Sequence, residues 1–297
     1  MIRRSAALAR AAIVILLQGI AVTAGVCATP AERAFETEAK RQVDIYQSRG
    51  EDVPRGYVVD RSLLSYAMTF PADFRRALVD LKPGDRWLDI GAGEGNAVLD
   101  YITSKYDVML EDHDGKARVV AMSIEDRRTR RWHETVAQMR QGELEYLHGR
   151  RLREYSNDEL GKFRLITDVI GAFSYTRYLS TYMQKALGLL DVQGALYAVL
   201  QDVRSEGGTN RPYYPDARYL TEIAAPDGTE VRMCTWLKRI KCVEVTCEFR
   251  PDWTPPVEVY RVHKVCDAVT VPPLTLVHFE AGTPPERGYV LVNSDKD

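Results

Sequence analysis

The sequence predicts an α/β fold with a mostly parallel sheet. Three observations predict it. Between residues 86 and 200, short apolar runs alternate with segments of helical period. A glycine-rich turn, RWLDIGAGEG over 86–95, sits where the first of these runs meets a helix. Two β-rich runs near the C-terminus, CVEVTCEF and VEVYRVHKV, are separated by the turn-forming RPDWTPP. That spacer is too short for a crossover, so the last pair is antiparallel.

The elements run in order along the chain. Phe35, Ala39, Val43 and Tyr46 share one face of a helix over 31–48. Phe74, Leu78 and Leu81 mark a second helix near 71–81, ended by the turn Lys82-Pro83-Gly84-Asp85. Trp87 to Ile90 is the first strand, and Val98, Tyr101 and Ile102 mark the helix after the glycines. Arg118 to Ile124, Leu144 to His148, Phe163 to Ile170 and Ala195 to Leu200 supply strands two to five. Trp132, Val136 and Met139, then Tyr178, Tyr182, Leu187 and Leu190, mark two of the helices between them. Met233, Trp236, Leu237 and Ile240 obey the i, i+3, i+4, i+7 rule of a helix. With the final hairpin the count is a seven-stranded sheet. Residues 270–297 read as a packed tail.

The chain has 297 residues, 45% hydrophobic and 28% charged, with a formal charge of −2. Those values describe an ordinary globular protein, and the charge provides no global field for nucleic acid. The basic run RRTRR at 127–131 reads as a solvated helix face. Residues 1–28 combine Arg3, Arg4 and Arg10, an uncharged run over 11–24, and the small-x-small triplet Val26-Cys27-Ala28. That order is a signal peptide, with export to the periplasm or the outside as its consequence. An uncleaved anchor and a misassigned start codon stand beside this reading. Removal of the leader leaves Cys234, Cys242, Cys247 and Cys266. An exported chain permits disulfides, and the hairpin favours a Cys242–Cys266 pair; buried free thiols are the alternative. The five histidines are scattered and the cysteines form no Cys-x-x-Cys pair, so no metal is expected.

A glycine turn at a strand's carboxyl end lets a ligand approach the backbone, and the next helix start offers unpaired N–H groups. The dinucleotide pattern G-x-G-x-x-G/A places Asn96 at its last position, which argues against NAD. The segment LDIGAGEG instead resembles motif I of the class I S-adenosylmethionine-dependent methyltransferases, and the resemblance extends over roughly 60–268. It implies a Rossmann-like fold whose mostly parallel seven-stranded sheet ends in an antiparallel hairpin. The implied organisation is a helical cap over 29–80, a methyltransferase domain over 81–269 and a tail over 270–297.

It also implies that Asp89, Gly91, Ala92, Gly93 and Gly95 shape the methionine end of an S-adenosyl-L-methionine site. Glu125 would grip the ribose hydroxyls, which a carboxylate accepts without a proton of its own. Many members carry an acid after strand three; here LHGRRL places Arg150 there, leaving the adenine to backbone groups or to Arg151 and Leu152. Asp168, at the end of strand four, is expected to contact acceptor or cofactor, and Tyr175 to join it in catalysis. Arg61, Tyr66 and the loop 208–215 are candidates for the acceptor side. The implied activity is methyl transfer to a small-molecule or protein acceptor. An exported, non-catalytic module binding the same cofactor, or a nicotinamide oxidoreductase, are the alternatives.

Overall fold

The computed structural model describes residues 61–103, 116–202, 219–250, 257–281 and 284–292. The leader, the helix expected over 31–48, the acidic stretch 106–115 and the loop 208–215 lie outside the described residues. Helix α1 (Leu63–Thr69) and α2 (Asp73–Val79) precede strand β1 (Arg86–Ile90) and α3 (Asn96–Ile102). Then come β2 (Arg118–Met122), α4 (Arg130–Val136), β3 (Leu144–Leu147), a 3-10 turn (Leu152–Glu154) and α5 (Asn157–Leu160). Strand β4 (Phe163–Val169), α6 (Ala172–Tyr175), α7 (Leu179–Leu189) and β5 (Leu190–Leu200) complete the parallel part. The chain ends with β6 (Thr221–Ala224), α8 (Met233–Leu237), β7 (Val243–Arg250), β8 (Val257–Lys264), β9 (Leu274–Glu280) and β10 (Glu286–Leu291).

The main sheet has seven strands in the order β3-β2-β1-β4-β5-β8-β7. The first five are parallel, β8 runs antiparallel to β5, and β7 antiparallel to β8. Strand order reverses beside β1, which places a crevice between the carboxyl ends of β1 and β4. Alternation along β1 divides its side chains between two cores. Trp87 packs with α1, α2 and α3 on one face, while Leu88 and Ile90 pack against the layer of α7 and α8 on the other.

Buried polar groups join the layers. The carboxylate of Asp100 on α3 accepts from the backbone N–H of Leu63 at 3.2 Å and from Arg131 at 2.8 Å, tying α1 and α4 to α3. Lys264 on β8 is 1% exposed, and its Nζ donates to the carbonyls of Leu187 and Leu190 at 3.2 and 2.8 Å. It thereby satisfies orphan carbonyls at the end of α7 and neighbouring β5, where a cation is favoured.

Two elements depart from the sequence expectation. Residues 270–297 contain β9 and β10, which form a second sheet with β6 in the order β6-β10-β9. Strand β9 alternates in burial except for one slip at Val277, 62% exposed, where its pairing with β10 shifts register, and that slip interrupts its periodicity. The helix expected through Ile240 stops at Leu237, because the chain must turn to enter β7. Among the described residues, no helix is long and apolar enough to cross a membrane.

Cysteines 242 and 266 are joined, as the hairpin suggested, and Cys234 is joined to Cys247. Both bonds staple the segment formed by α8, β7 and β8. Loops of this length constrain the unfolded chain by about 2–4 kcal/mol each. Non-reducing peptide mapping should recover these two pairings. The double variant Cys242→Ser/Cys266→Ser should lose about 2–4 kcal/mol in denaturant unfolding.

Candidate functional site

The carboxyl ends of β1, β2 and β4 enclose a cavity of about 210 Å³. Its floor is the contact between two turns. A Cβ on Gly91 would lie 2.7 Å from the Cα of Gly171, and one on Gly171 would lie 2.6 Å from the carbonyl oxygen of Ile90. The two backbones can meet only because neither residue has a side chain. Gly91 also has φ +76°, a left-handed conformation.

The turn after β4 is held under strain. Ile170 lines the cavity with φ +52°, a conformation a β-branched residue rarely adopts. Its N–H donates to the carbonyl of Val199 at 3.1 Å. Asp168, fully buried, secures the start of α6. Its carboxylate accepts from the N–H groups of Gly171 at 2.8 Å and Phe173 at 3.0 Å, and from the Tyr182 hydroxyl at 2.7 Å.

Glu125 stands at the cavity wall four residues beyond the β1-paired Ala121. Its Oε2 is ion-paired to Arg127, and its Oε1 makes no hydrogen bond among the described residues. The Tyr146 hydroxyl reaches both sides, donating to the carbonyls of Gly93 at 2.6 Å and Glu125 at 3.3 Å. This residue of β3 therefore sets the distance between the glycine turn and the Glu125 loop.

The site thus sits at a strand-order reversal, in a seven-stranded sheet whose last hairpin is antiparallel and whose first turn is glycine-built. This is the class I methyltransferase fold. No family model and no curated protein matches the chain. Solved structures similar to it include an rRNA methylase from Streptococcus thermophilus, with 10% identity over 70% of this chain and 100% of that one, at TM-score 0.40. The N-methyltransferase NodS from Bradyrhizobium japonicum WM9 shares 13% identity over 65% of this chain and 93% of that one, at TM-score 0.38. A cyclopropane synthase of Mycobacterium tuberculosis shares 17% identity over 48% of this chain, which spans 44% of its length, at TM-score 0.34. Strand order, not these likenesses, carries the assignment.

Within the class I fold, the residues singled out in the sequence divide into two groups. Gly91, Gly93, Glu125, Arg150 and Tyr175 line the cavity, together with Arg61, Arg151 and Leu152. Asp89, Ala92, Gly95 and Asp168 are not part of its wall. Ala92 packs into the apolar core with Trp132. A Cβ on Gly95 would lie 2.6 Å from the Trp132 ring, so this glycine serves helix packing.

Asp89 lies off the cavity wall. Its side chain projects to the Trp87 face, where both oxygens accept from the Tyr66 hydroxyl at 3.0 and 3.1 Å and Oδ1 accepts from Thr167 at 2.7 Å. Thr167 in turn accepts from the Trp87 indole at 2.8 Å. Tyr66, a candidate for the acceptor side, is consequently a core residue. Asp168 likewise braces its own turn. Neither outcome is visible in motif spacing, because each depends on which neighbouring strand or helix supplies the donors.

Arg150 reaches away to Glu159 at 2.5 Å and lies 3.9 Å over the Tyr155 ring. Burial raises the Tyr175 hydroxyl pKa above its usual value, so it is a hydrogen-bond donor at neutral pH.

Sequence reasoning missed Gly171 and Arg287. The glycine directly after strand four was a signal that could have been read. Arg287, on β10 and 2% exposed, donates to the carbonyls of Phe173 at 2.9 Å and Thr176 at 2.7 Å, and to Thr221. No motif marks it, since it acts from the second sheet. That sheet also gathers His278, Glu280 and Glu286, with ligand atoms within 4.8 Å of one another across the β9–β10 pair.

Gly171→Ala should destabilise the protein by about 2 kcal/mol or more, read by denaturant unfolding, because both close neighbours are backbone or a pinned carboxylate. Burial raises Asp168 from the usual 3.8 to about 6 and Asp89 to about 7. Burial and then Glu258 raise Asp202, at the end of β5, to about 8. Ionising these acids is harder folded than unfolded. Their stabilisation is complete below the usual carboxylate pKa and is lost as pH rises through the raised values. Tm should therefore fall between about pH 4 and about pH 8, and Asp202→Asn should flatten the upper part of that decline.

Proposed function

We propose that this chain is an S-adenosyl-L-methionine-dependent methyltransferase acting on a small-molecule or protein acceptor. One observation supports this most: Gly91, Gly93 and Glu125 share one cavity at the carboxyl ends of β1 and β2. The donor set fits the cofactor. Gly91 and Gly93 present backbone without side chains to the cavity where the methionine portion would lie, and the Oε1 of Glu125 is available to the ribose hydroxyls. Arg151 and Leu152 would flank the adenine. When bound, the cofactor supplies an activated methyl group on a sulfonium sulfur.

The chain's own contribution is positioning. Asp168 and Arg287 hold the 171–176 turn from two sides, so Tyr175 meets an acceptor from a fixed backbone. Tyr146 keeps Glu125 at a set distance from Gly93.

A second reading, a non-catalytic binding module, draws support from the occupied carboxylates of Asp89 and Asp168. Export of the mature chain is part of the proposal, supported by the leader-like residues 1–28 and by two disulfides. N-terminal sequencing of the secreted protein should begin at Thr29; recovery only in the cytosol with Met1 intact would refute export.

Calorimetry on the mature chain should detect both S-adenosylmethionine and its demethylated product. Glu125→Gln should weaken both by about 10–100-fold, the effect of a lost hydrogen bond to a charged group. Absence of binding by the wild type would sink the proposal, and tight NADH binding in its place would reinstate the oxidoreductase reading.

A further inference from the structure

The second sheet carries a side-chain cluster that the cavity does not use. Strand β9, LTLVHFE, packs Leu274 and Leu276 against the apolar core. Strict alternation would send residue 278 the same way. The slip at Val277 prevents this: Gly288 of β10 pairs with His278, but Tyr289 pairs with Leu276. A slip of this kind re-aims the side chains beyond it. His278 and Glu280 are both exposed, while Phe279 between them lies 4.5 Å beneath the Arg177 guanidinium. Gly288 faces His278 without a side chain; a Cβ there would lie 3.2 Å from the His278 Cβ.

Across the strand pair, Glu286 stands directly opposite Glu280. One ligand atom from each of His278, Glu280 and Glu286 lies within 4.8 Å of the other two. The side chains of His278 and Glu280 make no hydrogen bond or ion pair among the described residues. Glu286 is 7% exposed and has other contacts in the fold. Those contacts do not exhaust it, because a carboxylate offers about four lone-pair sites.

Like charges directly opposite one another weaken a strand pair. Burial of one partner reduces the screening that water would give. A divalent cation between the two carboxylates reverses the sign of that interaction. The imidazole beside them adds a nitrogen donor, which suits zinc better than magnesium or calcium.

We propose that His278, Glu280 and Glu286 form a Zn2+ site that clamps β9 to β10. Three protein donors and one water complete a tetrahedron. Bonds of about 2.0–2.2 Å hold tetrahedral ligand atoms about 3.3–3.6 Å apart, so the donors close by about 1–1.5 Å. Rotation of two exposed side chains covers that distance. The site is independent of the methyltransferase reading, since none of its residues lines the cavity. It bears on the cavity through the next residue of β10: Arg287 donates to the carbonyls of Phe173 and Thr176. Fixing β10 therefore fixes an anchor of the turn that carries Tyr175. Histidine and cysteine spacing does not reveal such a site, because one donor alone is a histidine and the third comes from the neighbouring strand.

The test uses the full chain, freed of metal by a chelator and titrated with zinc chloride. Calorimetry should find about one equivalent bound, and saturating Zn2+ should raise Tm by about 2–4 °C or more. Mg2+ and Ca2+ should bind about tenfold or more weakly. X-ray absorption at the zinc edge should show nitrogen and oxygen at about 2.0–2.2 Å and no sulfur at about 2.3 Å. His278→Ala and Glu280→Gln should each weaken Zn2+ binding by about 10–100-fold or more. His133→Ala, which removes an exposed histidine on α4, should leave it unchanged. The Zn2+-dependent rise in Tm is read against each variant's own metal-free value, so the comparison holds where a variant is less stable.

No saturable Zn2+ binding by the wild type would overturn the site, as would binding unchanged in both His278→Ala and Glu280→Gln. A sulfur shell at the zinc edge would overturn it too, by moving the metal to cysteines. Equal affinity for Ca2+ would overturn the zinc assignment.

Discussion

The contact between Gly91 and Gly171 is the constraint on which the site depends. Two turns, at the ends of β1 and β4, approach until a single methyl group on either would collide with backbone. This contact closes the cavity floor and leaves backbone, not side chain, facing the cavity. It also imposes costs. Ile170 is forced into a left-handed conformation on the order of 1–3 kcal/mol above its preferred one. Asp168 offsets that strain by accepting three hydrogen bonds within the same corner.

Two buried carboxylates serve as hydrogen-bond hubs. Asp89 gathers Tyr66 from α1 and Thr167 from β4, so the segment before the sheet is tied to the strand that ends at the glycine turn. Asp168 gathers α6 and α7. Both are desolvated strongly enough to raise their pKa values, and both are stabilised by donors that leave little capacity for a ligand. The second sheet extends the same logic. Arg287 reaches from β10 to the carbonyls of the 173–176 segment, and the Tyr289 hydroxyl joins it at Thr176 and Arg177. A C-terminal hairpin outside the seven-stranded sheet thus shapes the wall that carries Tyr175.

Strand-by-strand alternation, the short spacer before the last hairpin and the glycine turn were all legible in the sequence. Each is a local property: an apolar run long enough to be buried, a loop too short to cross a sheet, a residue without Cβ. Cys242–Cys266 was legible for the same reason, since hairpin pairing brings those positions together. The strand β9 was not, because a register slip at Val277 interrupts the alternation that marks β-structure. Gly95 was read as a ligand contact, and its Cβ position turned out to face Trp132, a residue thirty-seven positions away.

What the sequence by itself determined is the order of elements and the place of the cavity at the carboxyl ends of β1 and β4, because hydrophobic periodicity and connection length dictate topology. It also placed Gly91, Gly93 and Glu125 at turns after strands. Tertiary structure alone decided which carboxylates face the cavity. Asp89 and Asp168 each lie at a strand end, as motif reasoning requires, but the hydrogen-bond donors that fill them come from Tyr66, Thr167 and Tyr182 on other elements. A buried carboxylate turns to where its donors are, and no spacing along the chain records where those donors will be.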